Sequence, residues 1–378
     1  MQSVPARAPR RIASFDHLRV FVILLVILQH AAMAYCIGGR APSAGSYTDG
    51  TAPVVDHVTW SGFNIAVSWT DGFFMPLMFL LSGLFVRPSL ARKRLGDYLT
   101  DRALRLGGPL LVGLVTIVPL SYYAAHLESG GQRTFAEFWA GMMIDGPWPS
   151  GPLWFVSALL VFDALLVLML SHGGVLRLVH RVDDWLDRHV PEAWYLVFVV
   201  LSALAYLPLV LVFGGSLWFT SGPFGIQASR IGLYFFSFAA GALVGPERLA
   251  RTFDHDWWRW PLAAALATGA WFVLDDRGLP PLAEGIADTL FSTATALGLL
   301  ALAVRFGERS AGWGDSLSGN AYGIYLLHWP VVLWLQFALL ALPTGAIAKG
   351  TLVLVVGLLF SWLGASLLRR LPGVARIV

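Results

Sequence analysis

The chain has 378 residues, 57% of them hydrophobic and only 13% charged, against about 25% charged in a typical soluble domain. A soluble multi-domain enzyme of this length has nowhere to hide so much apolar surface, whereas 16 Trp and 24 Phe suit the interfacial aromatic belts of a polytopic membrane protein. The net charge of +3 and pI of about 9.1 do not indicate nucleic acid, because the charges sit between apolar runs; the single Cys36 excludes an internal disulfide framework, and no CxxC or HExxH spacing marks a metal.

Windows of about 20 apolar residues give ten spans, near 14–36, 63–86, 106–126, 153–171, 193–213, 229–246, 260–275, 286–304, 320–340 and 348–368. The first follows Arg7, Arg10 and Arg11 in the manner of a signal peptide. A cleavable apolar region is about 7 to 15 residues and uncharged, whereas this one is longer and carries Arg19 and His30, so it is read as a retained span. With the N-terminus inside, 20 of the 26 basic residues fall on cytoplasmic segments, as the positive-inside rule requires. Outside lie Arg40, Arg133, Arg277 and Lys349, with Arg19 and Arg230 in or at the edge of spans. The expectation is one all-α integral membrane domain over 1–378, a bundle of about ten transmembrane helices with both termini cytoplasmic and no internal repeat.

In chain order, the first span, SFDHLRVFVILLVILQHAAMAY, holds Asp16, His17, Arg19, Gln29 and His30. Ionisable groups inside a membrane segment are functional candidates by default. Arg19 and His30 are eleven residues apart, three turns plus about 20°, so they share a face roughly 16 Å apart along the axis. Asp16 falls on that face one turn below Arg19. The loop at 37–62 is a lid or a tether with equal weight. In span two, which enters from outside, Asp71 lies roughly 10 Å deep, where it can pair with His30 and fix its tautomer as a general base; the alternative is that Asp71-Gly72, with Pro76 beyond, caps a broken helix. Gly62 and Ser82-Gly83 are read as close-packing positions, since the GxSxG context of a serine nucleophile is missing. Arg102 and Arg105, three residues apart at the cytoplasmic edge of span three, are either a phosphate-binding pair or topology and headgroup charges, the reading that accounts for Arg92–Arg94. The second long outer loop, 127–152, ends in Trp148, Pro149 and then Trp154, aromatic groups that shape a site mouth. His328 lies inside span nine with Tyr325 one turn before it, a Tyr–His face that can bond. Asp163, Asp288 and Gln336 are weaker candidates that also serve as helix–helix hydrogen bonds.

Four stretches in order, FDHLRVFVILLVILQH, DGFFMPLMFLLSG, Arg102-x-x-Arg105 and NAYGIYLLHWPVV, resemble the membrane acyltransferase family 3 over residues 14–332. The resemblance implies about ten spans and transfer of acetyl, succinyl or similar groups from cytoplasmic acyl-CoA, the donor substrate, to hydroxyls of glycans, lipids or natural products. It places the essential Arg and His of the family on Arg19 and His30, its Arg-x-x-Arg on Arg102 and Arg105, its FFxxSG-like segment on Phe73 to Gly83, and its YxIYLxH segment on Tyr322 to His328. One departure is GPLWFVSALLVFD, which keeps Trp154 without the usual glutamates and looks like the branch of glucan succinyltransferases.

On this basis Arg102, Arg105 and Arg19 hold the CoA phosphates near the inner face. His30 takes the proton of the acceptor hydroxyl, or forms an acyl-histidine, and His328 and Tyr325 are possible oxyanion donors. Trp148 and Trp154 bind the acceptor. The partners are acyl-CoA, a glycan, lipid-linked or small-molecule hydroxyl acceptor and membrane lipids; no metal and no nucleic acid is expected. The location is the bacterial inner membrane. The competing class is a transporter or flippase, for which intramembrane His, Asp and Arg are equally natural, although no inverted repeat of broken helices is visible.

Overall fold

The computed structural model describes residues 10–43, 49–253, 256–275, 277–307 and 312–374. Arg7, Arg309 and Arg376 of the charge pattern, and 44–48 of the first long loop, lie outside the described residues. The helices are α1 (Arg10–Met33), α2 (Ser61–Leu84), α3 (Val86–Leu90), α4 (Leu95–Arg102), α5 (Gly108–Val115), α6 (Ile117–Glu128), α7 (Phe135–Ile144) and α8 (Trp154–Leu170). They continue with α9 (Gly173–Arg188), α10 (Pro191–Phe213), α11 (Ile231–Val244), α12 (Pro246–Thr252), α13 (Arg259–Asp275), α14 (Pro281–Phe306), α15 (Gly312–Leu339) and α16 (Ala346–Leu368). The protein is an all-α membrane protein.

Each of the ten spans expected from the sequence falls on a helix, but they are not all equal. Among the described residues eight helical stretches are long and apolar enough to cross a membrane, and a ninth if α11 and α12, bent by 89°, form one span. The tenth, α13, has 17 residues, about 25 Å at 1.5 Å per residue, short of the ~30 Å hydrocarbon core. Span three is longer than its apolar window: α4, a π-helical turn at Ala103–Gly107, α5 and α6 form one stretch, Leu95–Glu128.

Three elements were not visible in the hydropathy. Helix α7 lies in the second long loop, started by a capping box in which the Thr134 side chain and Glu137 satisfy each other's backbone N–H groups. Helix α9 is an amphipathic helix between α8 and α10. A two-stranded antiparallel hairpin, β1 (Trp218–Ser221) and β2 (Phe224–Gln227), follows α10 with Trp218 opposite Gln227.

Helix α1 packs against α2, α14, α15 and α16; of its polar groups Gln29 is buried, while Asp16 and Arg19 remain partly exposed. Close approach of α2 to α11 depends on two small residues: a Cβ on Gly83 would strike the Phe238 carbonyl, and one on Gly241 the Leu80 carbonyl. The two backbones therefore touch, the packing that small residues permit in lipid. Above this contact Phe79 is fully buried and packs against Phe155, Phe162 and Tyr234.

Segments expected on the cytoplasmic side meet at one end of the bundle. Arg87 after α2 pairs with Asp183 of α9 at 2.7 Å, Arg248 of α12 reaches the same carboxylate at 2.8 Å, and His17 of α1 bonds the Gly307 carbonyl after α14 at 2.8 Å. The opposite end gathers the outer loops. Lys349 of α16 and Asp56 of the first loop form a buried pair at 2.6 Å, while the Val55 N–H donates to the Glu128 carboxylate at 3.0 Å and the Trp60 N–H to the Tyr35 carbonyl at 3.0 Å. The described part of the 37–62 loop is thus strapped to the bundle end rather than hanging from it.

Candidate active site

His30 lies in the last turn of α1. A helix ending at Met33 leaves its last four carbonyls without intrahelical partners, and here all four are satisfied. The Tyr35 N–H donates to Ala32 O at 2.9 Å and the Cys36 N–H to Met33 O at 3.4 Å. Gln336 of α15 donates to the His30 and Ala31 carbonyls at 2.8 and 3.3 Å. Gln336 therefore holds the end of the helix that presents His30.

The His30 ring is half-buried, and its Nδ1 is 2.9 Å from Nε2 of His328, which is fully buried. Nδ1 of His328 is 2.6 Å from the Tyr325 carbonyl. These contacts assign the protons. A carbonyl only accepts, so Nδ1 of His328 carries the hydrogen and Nε2 of the neutral ring is an acceptor. Nδ1 of His30 must then donate, which leaves the lone pair on Nε2 of His30, an atom with no partner among the described residues. A neutral imidazole oriented in this way is a base with one open face.

The sequence expectation paired His30 with Asp71, and the structure corrects it. Asp71 Oδ2 is 2.7 Å from Nη1 of Arg230, which also donates to the Asp71 carbonyl at 2.9 Å. Neighbouring residues on a helix point about 100° apart: Thr70 faces α1, where its hydroxyl reaches Gln29 at 3.3 Å, so Asp71 is turned toward α11. Nor does Asp71-Gly72 end a helix, since α2 continues through it and Pro76. In the sequence Arg230 reads only as a charge in or at the edge of a span; nothing in its local sequence marks it as the partner of a residue 159 positions away.

The Tyr325–His328 side-chain pair is also corrected. The Tyr325 hydroxyl donates to the Pro152 carbonyl, and His328 is held by the Tyr325 backbone instead. Neither group keeps a hydrogen for an oxyanion. A donor without a partner among the described residues stands against His30: the indole N–H of Trp329, which is buried. Its ring meets the His30 ring edge-on at 4.6 Å. Gly151, at φ 48°, makes this seat possible, because a Cβ there would lie 2.9 Å from the indole nitrogen. In the sequence Trp329 is indistinguishable from any other apolar residue of the span.

At the other end of α1, Arg19 Nη1 is 3.2 Å from Asp16, and the guanidinium lies over the Phe85 ring at 5.0 Å. The Nε edge of Arg102 faces the Tyr98 hydroxyl at 3.0 Å and fully buried Asp163 at 3.4 Å, and the Tyr98 hydroxyl itself donates to Asp163. With that edge anchored, both Nη groups remain for a ligand. Arg105 does not join it. It is 55% exposed and bonds Asp101 at 3.2 Å, because the π-helical turn that begins after Arg102 widens the helix and rotates the third residue off the shared face. Asp163, weak on sequence grounds, is thus the anchor of Arg102, and Asp288 is a helix–helix bond, accepting from Tyr206 at 3.1 Å and Trp271 at 2.9 Å.

Trp154 stands at the start of α8, edge-on to Trp218 of the hairpin at 5.4 Å and tilted against Tyr234 at 5.7 Å. Trp148 is 39% exposed in the loop before it. The hairpin therefore sets an exposed aromatic ring, Trp218, beside Trp154. Among the described residues no cluster of three or more His, Cys, Asp or Glu side chains is arranged to hold a metal.

Residues 12–366 match a family model described as an acyltransferase domain, and the chain belongs to that family, acyltransferase family 3. No curated protein and no solved structure matches it. The protein is therefore a membrane acyltransferase.

Proposed function

We propose that the protein moves an acyl group, such as acetyl or succinyl, from acyl-CoA to a hydroxyl of a glycan, lipid-linked sugar or related envelope acceptor in the bacterial inner membrane. The observation that carries this is His30, whose Nδ1 is held by His328 while Nε2 is left open.

The donor enters at the basic end. The free Nη groups of Arg102, together with Arg19, take phosphate oxygens of CoA, as suits guanidinium forks; Arg105 contributes only charge from the surface. The pantetheine arm then follows α1 toward His30, since Arg19 and His30 are roughly 16 Å apart and cannot hold the same atom.

At the far end the acceptor hydroxyl gives its proton to Nε2 of His30 as its oxygen bonds to the thioester carbon. The imidazolium formed strengthens the Nδ1–H bond to His328, which becomes charge-assisted. The carbonyl oxygen gains the negative charge, and the Trp329 N–H is the donor at hand for it. When the oxyanion collapses, the C–S bond breaks, the ester remains on the acceptor and His30 returns its proton to the CoA thiolate. Trp148, Trp154 and Trp218 offer flat apolar faces to a sugar ring, consistent with the glucan-succinyltransferase-like form of the Trp154 segment.

Purified protein in lipid vesicles, given labelled acetyl-CoA or succinyl-CoA and envelope glycan extracts, is expected to release CoA thiol and label the acceptor. Absence of both thiol release and label with every donor would leave a transporter as the better assignment.

A further inference from the structure

Helix α9, GGVLRLVHRVDDWLDR, sorts its charges within the polar face. At 100° per residue, Val175, Leu178, Val179, Val182, Trp185 and Leu186 share one side. Asp183 and Asp187 lie along one edge of the polar face, and Arg177, Arg181 and Arg188 along the other. The acidic edge is pinned to the bundle: Asp183 to Arg87 and Arg248, and Asp187 to Arg248 at 2.9 Å. On the basic edge, Arg177 and Arg181 have no ion pair among the described residues, and Arg188 only donates to the Asp184 carbonyl at 2.7 Å.

The apolar side of α9 roofs an open cavity of about 360 Å³ between α9, α10, α11 and α12. Val182, Trp185, Trp194, Phe198, Phe236 and Phe253 line it, and among the described residues Arg181 is the only charged one at its wall. Helix α10, which forms one side, is largely exposed along its length, as a lipid-facing span is. The cavity therefore opens where a bilayer leaflet meets the protein, beneath an interfacial helix whose free edge is basic.

We propose that this cavity holds one acyl chain of an anionic phospholipid of the adjoining leaflet, with the lipid phosphate on Arg181 and its i+4 neighbour Arg177. A hydrocarbon chain gains little by leaving a bilayer for an apolar cavity, because lipid tails are as apolar as the lining. The hold and the selectivity come from the headgroup, where guanidinium forks meet phosphate oxygens and a basic edge attracts the anionic surface. A zwitterionic lipid offers the same chain but places a cation against Arg181. The site is separate from the acyl-transfer track of α1, and its occupant is a phospholipid rather than donor or acceptor.

Native mass spectrometry of the full chain, delipidated in mild detergent and titrated with dioleoyl phosphatidylglycerol or dioleoyl phosphatidylcholine, tests this. One phosphatidylglycerol adduct per chain is expected, surviving activation that strips phosphatidylcholine. Arg177→Glu with Arg181→Glu, exposed changes that leave the core intact, is expected to weaken that adduct at least tenfold. Ala240→Trp, which fills the cavity, is expected to lower retention of both lipids alike, since it removes the seat of the chain and leaves the headgroup arginines in place. Equal retention of the two lipids, or an unchanged adduct in the double arginine variant, overturns the proposal. So does displacement of phosphatidylglycerol by an equimolar polyprenyl phosphate or long-chain acyl-CoA.

Discussion

His30 is a base because of a chain of three acceptors and donors that begins at a backbone carbonyl. The Tyr325 carbonyl sets the tautomer of His328, which sets that of His30. His328 touches no reacting atom, so its removal is expected to act on chemistry rather than on donor binding: His328→Leu should lower kcat by about ten- to a hundredfold, the scale of one hydrogen bond to a charged group, with KM for acyl-CoA within twofold. Trp329→Phe keeps the ring against His30 but deletes the N–H that serves the oxyanion, and is expected to cost about a hundred- to a thousandfold in kcat. Steady-state kinetics on the purified variants separates the two. The arginines should behave unequally. Arg102→Ala is expected to raise KM for acyl-CoA at least tenfold, Arg105→Ala less than threefold, and Asp163→Asn to follow Arg102 because it frees the anchored edge. These residues were legible in the sequence as polar groups in apolar spans. Their partners were not: which face of α2 meets α1 is decided by packing, and that single rotation gives Thr70 to Gln29 and Asp71 to Arg230.

At the scale of elements, the outer loop and α9 are held by ion pairs that hydropathy does not register. Lys349 and Asp56 are both buried, and removing one member of such a pair strands the other charge at a cost of about 3–5 kcal/mol. Lys349→Met is therefore expected to lower thermal stability sharply and loosen 53–60, read as faster hydrogen exchange there; Lys349→Met with Asp56→Leu should recover most of the loss. Helix α9 has a pH signature. Arg87, and after it Arg248, hold the Asp183 carboxyl below the usual carboxylate range against the opposing effect of burial. The stabilisation is complete above the ordinary carboxylate pKa of about 3.9 and is lost as pH falls through the lower folded value. Exchange protection of 173–188 should thus hold at pH 5 and fall below about pH 4, while Asp183→Asn lowers it already at pH 7. The spans themselves were legible because apolar length is a strong signal. The hairpin and α7 were not, since short segments rich in Gly, Trp and Phe carry no periodicity.

Over the whole molecule, two chemistries stand at opposite ends of one helix. The arginines of the basic end and the imidazole of the far end are joined by α1, and the family match over 12–366 says that the reaction is acyl transfer. Charge alternation along the sequence suggested which segments share an end; in the structure Arg87 and Arg248 meet on Asp183, and Lys349 meets Asp56. The cytoplasmic face follows only from the positive-inside rule, and cysteine labelling of Gly96→Cys and Gly130→Cys in intact cells and inverted vesicles checks it: the first should label from the inside and the second from the outside.

The most direct measurement is acyl transfer by purified His30→Ala beside wild type, with saturating acyl-CoA and acceptor and with acyl-CoA binding measured on the same samples. Loss of a general base is expected to lower kcat by about a hundred- to ten-thousandfold with donor affinity unchanged. Transfer within a few-fold of wild type would contradict the assignment of His30.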